Sequence, residues 1–119
     1  MKSSLMRSVL AVAFLATIAS SAEARDARCR IFQDGRLALD RLCDFQPEGR
    51  NGSFILSARG GNGSLLPGIS NVSVSVFRPD TAEVRGLTRD GINSRWGEAR
   101  RSPSDRACWA GSDFRICVY

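Results

Sequence analysis

Four cysteines and no histidine bound the chemistry open to this 119-residue chain. The thiols are Cys29, Cys43, Cys108 and Cys117, with no Cys-x-x-Cys pair among them. A zinc site would need a different donor set and spacing, so no metal and no cofactor are expected. Histidine-based acid–base catalysis is excluded, and the Gly-x-Ser-x-Gly elbow of serine hydrolases does not occur. Carboxylates remain. Asp40, Asp44, Glu48, Glu83 and Glu98 are candidates for a glycosidase-like pair, but a soluble domain of this size ordinarily carries as many. Gly60-Gly61-Asn62-Gly63-Ser64 has the glycine content of a phosphate cradle without the following lysine or the strand–loop–helix setting. It is expected to be a hairpin loop, and no residue is assigned a catalytic role.

The compartment decides what the cysteines do. Lys2 and Arg7 precede an apolar run from Val9 to Ile18, and small residues lead to Ala22-Glu23-Ala24, an A-x-A cleavage pattern. Residues 1–24 are therefore expected to be a signal peptide and 25–119 a single exported domain. The apolar run is about half of the roughly 20 residues a transmembrane helix needs, so no transmembrane segment is expected. Periplasmic or secreted space is oxidising, and four thiols all lying beyond the leader suit two disulfides. Cys108 and Cys117 are symmetric about Ser112-Asp113, and a hairpin there sets them opposite each other. Cys29 and Cys43 flank Asp34-Gly35 in a similar way. The expected pairs are Cys29 with Cys43 and Cys108 with Cys117. The competing arrangement, Cys29 with Cys117 and Cys43 with Cys108, would tie the chain ends together.

These staples must be positioned by strands. Asn71-Val72-Ser73-Val74-Ser75-Val76 alternates strictly and predicts a half-buried strand with Val72, Val74 and Val76 inside. Ala82-Glu83-Val84 alternates as well. Pairing Val76 with Ala82 and Val74 with Val84 keeps the apolar faces together and calls for an odd-length loop around Pro79. Further strands are expected at Arg28 to Phe32, Leu37 to Cys43, Ser53 to Ala58, Asn93 to Glu98, Ala107 to Ala110 and Phe114 to Val118. Leu37 to Cys43 also fits a helical turn, since Leu39, Leu42 and Cys43 share a face. The fold class expected is all-β: a small antiparallel meander, sandwich or partly closed barrel with two disulfides.

The formal net charge is +5, and beyond the leader the positive charge is carried by arginine alone. Its sign suits acidic partners. The stretch from Arg85 to Arg106 concentrates arginines around Trp96, and Arg and Trp are frequent interface anchors. Arg95, Trp96, Arg100 and Arg101 are the expected binding residues. Trp109 is expected to pack on the adjoining Cys108 disulfide.

Gly52-Ser53-Phe54, with Ala107-Cys108-Trp109 and Ile116-Cys117, resembles a pattern of small exported proteobacterial proteins of unknown function. The resemblance covers about the last two thirds of the exported segment and implies a periplasmic or secreted bacterial protein and nothing finer. Small exported β proteins that inhibit lysozyme are similar in size, export and disulfides, without a residue-by-residue match to their inhibitory loop. The leading expectation is a non-enzymatic binding protein of the envelope or secreted space, one form being an inhibitor of an envelope-directed enzyme. Its partner would be a protein or an anionic envelope polymer, with no specific nucleic acid. The alternatives are a carboxylate-dependent enzyme acting on glycan and a secreted effector acting in a host.

Overall fold

The structure is a computed structural model that describes residues 24–61 and 63–119; the proposed leader, apart from Ala24, and Asn62 lie outside the described residues. Eight strands follow one another among those residues: β1 (Arg25–Gln33), β2 (Arg36–Glu48), β3 (Ser53–Ala58), β4 (Ile69–Arg78), β5 (Thr81–Thr88), β6 (Asn93–Arg101), β7 (Cys108–Ala110) and β8 (Phe114–Val118). Each pairs antiparallel with the next, and β8 returns to β1 from Cys29 opposite Val118 to Gln33 opposite Phe114, closing a barrel. Leu37 to Cys43 is strand, not helix. Closure satisfies the edges that a meander or sandwich would leave open. Among the described residues no helix is long and apolar enough to cross a membrane.

An eight-stranded barrel has an interior just wide enough to be filled by side chains. Alternation supplies them: Ala27, Cys29 and Ile31 from β1, Phe54 and Leu56 from β3, Val72 and Val74 from β4, and Ala82 and Val84 from β5 all point inward and are buried. The two ends differ. At one, the connection after β3 folds over the barrel and buries Leu65 and Leu66, held by Arg41 Nη2 donating to the carbonyls of Ser64 (3.0 Å) and Leu65 (3.1 Å). Among the described residues, the opposite end, where β1, β3, β5 and β7 begin, has no such plug.

Bulges set the register. Val74 faces Val84 and Val76 faces Ala82, as the core pattern requires. The connection is nevertheless a two-residue turn at Pro79-Asp80, with Arg78 opposite Thr81. The expected odd-length loop is replaced by an extra residue, Phe77, which bulges out of β4 and restores the inward face. The β1–β2 hairpin behaves alike. It turns at Asp34-Gly35, both with positive φ (51° and 74°), the geometry that Asp-Gly favours in two-residue hairpin turns. A bulge after Ile31 then places Cys29 opposite Arg41 and Cys43 opposite Ala27.

Both disulfides form as expected, Cys29 with Cys43 and Cys108 with Cys117. Their settings differ. Cys108 and Cys117 are directly opposed across the β7–β8 hairpin, whereas Cys29–Cys43 crosses its strand pair diagonally inside the core. Trp109 does not pack on the neighbouring disulfide. It points to the other face of β7, into the core, because successive residues of a strand alternate sides.

A third bulge places Trp96. Val84 faces Gly97 and Arg85 faces Arg95, so Trp96 is the extra residue of β6. Arg95 is thereby turned out, while the Trp96 indole lies on Gly86 and meets the Phe114 ring edge-on, with centroids 5.7 Å apart. A Cβ at Gly86 would sit 2.7 Å from Trp96 Nε1. Gly86→Ala is therefore expected to destabilise the barrel by about 1–3 kcal/mol, the usual cost of overpacking. Combining it with Trp96→Leu in a denaturant-melting cycle should recover part of that loss; strictly additive effects would show that the close approach is not the cause.

Candidate functional site

The end where β1, β3, β5 and β7 begin forms, among the described residues, a cup of about 480 Å³. Its floor is apolar, formed by Phe45, Phe54, Val76, Trp109 and Val118, and its rim carries Arg25, Arg101, Arg106 and Asp80. Strand alternation explains who reaches it. Arg25 precedes Ala27, Cys29 and Ile31 on the inward face of β1, and Arg101 follows Ala99 on that of β6. Both stand one step beyond the packed interior, where an inward-directed side chain meets water.

The cations are held against the floor. The Arg25 guanidinium lies 5.0 Å from the Phe45 ring centroid, and Phe45 packs on Phe54 with centroids 5.1 Å apart. Arg101 lies 5.5 Å from the Trp109 ring, and its Nε donates to the Arg106 carbonyl at 2.7 Å. Arg106 Nη2 pairs with Asp80 Oδ1 at 3.1 Å. Asp80 is the single carboxylate lining the cup, so the rim carries an excess of positive charge. Asn51 braces one wall by donating from Nδ2 to the Val76 carbonyl at 2.7 Å.

No family model, curated protein or solved structure matches this chain. The site is therefore interpreted on its own geometry.

The four binding residues expected from sequence do not form one patch. Arg101 reaches the rim, and Arg100 is exposed beside it on the outer face. Arg95 lies six residues back along β6, roughly 20 Å away at the usual strand rise. Its Nε pairs with Glu83 Oε1 at 2.9 Å, and Trp96 is committed to Gly86 and Phe114. These two line a second, polar cavity of about 310 Å³ with Gln33, Asp34, Asp113 and Phe114. Asp34 N donates to the Asp113 carbonyl at 2.8 Å, which brings the two hairpin turns together. The carboxylates considered from sequence are scattered. Asp40 pairs with Arg28 at 2.8 Å, Glu83 with Arg85 and Arg95, and Glu98 with Arg78 at 4.0 Å.

Beside the cup, Tyr119 Oη donates to Asp105 Oδ2 at 2.7 Å, and Ala107 N donates to Asp105 Oδ1 at 3.1 Å. Accepting the tyrosine hydrogen bond, and then the backbone one, holds the Asp105 carboxyl below its ordinary range. The same contact raises the Tyr119 phenol above its ordinary value. A lowered folded-state carboxyl stabilises the fold above the unfolded value, about pH 4, and that contribution is lost as pH falls through the lowered value. The raised phenol contributes below about pH 10, and its contribution is lost as pH rises through the raised value. Tyr119→Phe should therefore flatten the acid limb of the melting temperature between pH 2 and about 5. Parallel curves for the two proteins would show that this contact does not form in solution.

Proposed function

We propose that the chain is an exported, non-enzymatic binding protein of the cell envelope or secreted space that holds an anionic partner at the arginine-rimmed mouth of its barrel. The observation that carries this reading is the cup itself: three arginines around an aromatic floor, with a single carboxylate already paired to one of them. Mouths of β-barrels are a preferred place for such sites. Two disulfides are compatible with an oxidising compartment. Inhibition of an envelope-directed enzyme is one form such binding takes.

The test is capture of a partner from envelope extract by the exported protein, compared with Arg25→Ala, Arg101→Ala and Arg95→Ala variants whose melting is unchanged. Loss with the first two and retention with the third supports the mouth. The opposite pattern moves the site to the plugged end.

A second reading, a carboxylate-dependent enzyme acting on glycan, draws on Asp34 and Asp113, which line one cavity with Trp96. It predicts glycan turnover that Asp34→Asn and Asp113→Asn each abolish. Turnover surviving both changes would remove it.

A further inference from the structure

We propose that the mouth is a site for a small anionic amphiphile: one carboxylate or phosphate head on a single short chain or a flat ring system. The inference rests on the mouth being the binding site and names the class of ligand it takes.

The cup has two chemistries at two depths, and a ligand must answer both. Its volume, about 480 Å³, lies within the range of small-molecule pockets. Below it the barrel is solid, with Leu56, Val74 and Ile116 fully buried, so the apolar body must be short. The floor's accessible apolar surface comes from the half-buried Phe45, Val76 and Val118, backed by the buried Phe54 and Trp109 rings. An anionic polymer lying across the rim would leave these surfaces uncovered.

The rim selects the head. Asp80 neutralises Arg106, which leaves Arg25 and Arg101 as the cations facing a ligand. Each guanidinium sits over a floor ring, Arg25 over Phe45 and Arg101 over Trp109. A guanidinium held near a ring face by its charge still has N–H groups directed away from the ring for hydrogen bonding. Arg101 spends Nε on the Arg106 carbonyl, and its terminal nitrogens remain available to carboxylate or phosphate oxygens. The bonds these guanidiniums already make are to main-chain oxygens, Arg25 Nη1 to Asp26 and Tyr119 at 3.4 Å and Arg101 Nε to Arg106, so a neutral apolar ligand would cover the floor and offer neither cation an anion. In a chain cleaved after Ala24, the α-ammonium of Arg25 adds positive charge to the same rim.

The experiment is calorimetric and tryptophan-fluorescence titration of the exported protein, both disulfides intact, with decanoate, decyl phosphate, decanol, decyltrimethylammonium and inorganic phosphate. Decanoate and decyl phosphate should saturate at one per chain. Each should bind at least ~10-fold tighter than decanol, the cation or inorganic phosphate, the factor expected for one charge-assisted contact. Arg25→Gln and Arg101→Gln should each weaken decanoate by a similar factor, and Arg95→Gln should leave it unchanged. Two variants on different strands guard against one of them misfolding. Equal affinity for decanol would reduce the site to an apolar patch and overturn the proposal. Equal affinity for inorganic phosphate would reduce it to an anion site, and absence of saturable decanoate binding would overturn it as well. If decanoate fails while Arg101→Gln still loses its envelope partner, the ligand class is wrong and the mouth stands. If that variant keeps the partner too, both readings fall.

Discussion

Replacing Cys29 and Cys43 together by alanine is expected to lower the unfolding free energy by about 4 kcal/mol. About 3 kcal/mol of that follows from releasing a loop with a sequence separation of 14 in the unfolded chain. A further ~1 kcal/mol comes from the void left where two buried sulfurs were, since both residues are fully enclosed in the core. For a domain of this size that is on the order of 15–30 °C in melting temperature, and it is comparable with the whole net stability of many domains. Replacing Cys108 and Cys117 should cost slightly less, about 3–3.5 kcal/mol, because the loop is shorter while these two cysteines are also buried. Non-reducing thermal and urea melts of the two double variants check the order. A loss below about 1 kcal/mol for either pair would show that its bridge constrains the unfolded chain far less than its loop length implies.

Charge reversal at the rim is expected to act on binding and hardly on folding. Arg101→Glu should weaken an anionic partner by about 100-fold, since an interface-anchoring arginine is often worth ~2–3 kcal/mol or more and reversal adds repulsion. Arg101 is exposed, so its replacement should change stability by about 0.5 kcal/mol or less beyond the lost bond to the Arg106 carbonyl. Asp80→Asn works in the opposite sense. It frees Arg106, now 3.1 Å from the Asp80 carboxylate, and should tighten the same partner severalfold. Affinity and melting measured on both variants separate the two effects. Unchanged affinity in Arg101→Glu would place the partner elsewhere.

Much of the barrel was legible because its strands obey the period-two rule. Val72, Val74 and Val76 announced β4, and the symmetric spacing of Cys108 and Cys117 announced the last hairpin. Full closure was legible only as one of three all-β forms, because pairing of β1 with β8 joins the two ends of the domain and leaves no local mark. Bulges were not legible. One inserted residue at Phe77 or Trp96 inverts the faces downstream, and residue types alone do not show where the insertion falls. Trp109, expected beside its disulfide, faces the core instead for a simpler reason: it follows Cys108 in β7, and neighbouring residues of a strand take opposite sides.

The candidate site was half visible. Arg101 was read from the cluster around Trp96, yet chain proximity grouped it with Arg95, which lies toward the opposite end. Arg25 lies outside the arginine-rich stretch from Arg85 to Arg106, next to the proposed cleavage point. Its parity with Cys29 and Ile31 was the available signal, since it fixes the inward face of β1. Phe45 and Phe54 belong to different strands, and only the register of Phe45 opposite Leu56 and Pro47 opposite Phe54 brings the rings together.

The central claim is that binding happens at the arginine-rimmed mouth. Two-dimensional amide and indole NMR spectra of residues 25–119 titrated with decanoate test it most directly. The account predicts saturable shifts confined to Arg25, Phe45, Asn51, Asp80, Arg101 and the Trp109 indole. Saturable shifts centred on Asp34, Arg95, Trp96 and Asp113, with the mouth unmoved, would contradict it.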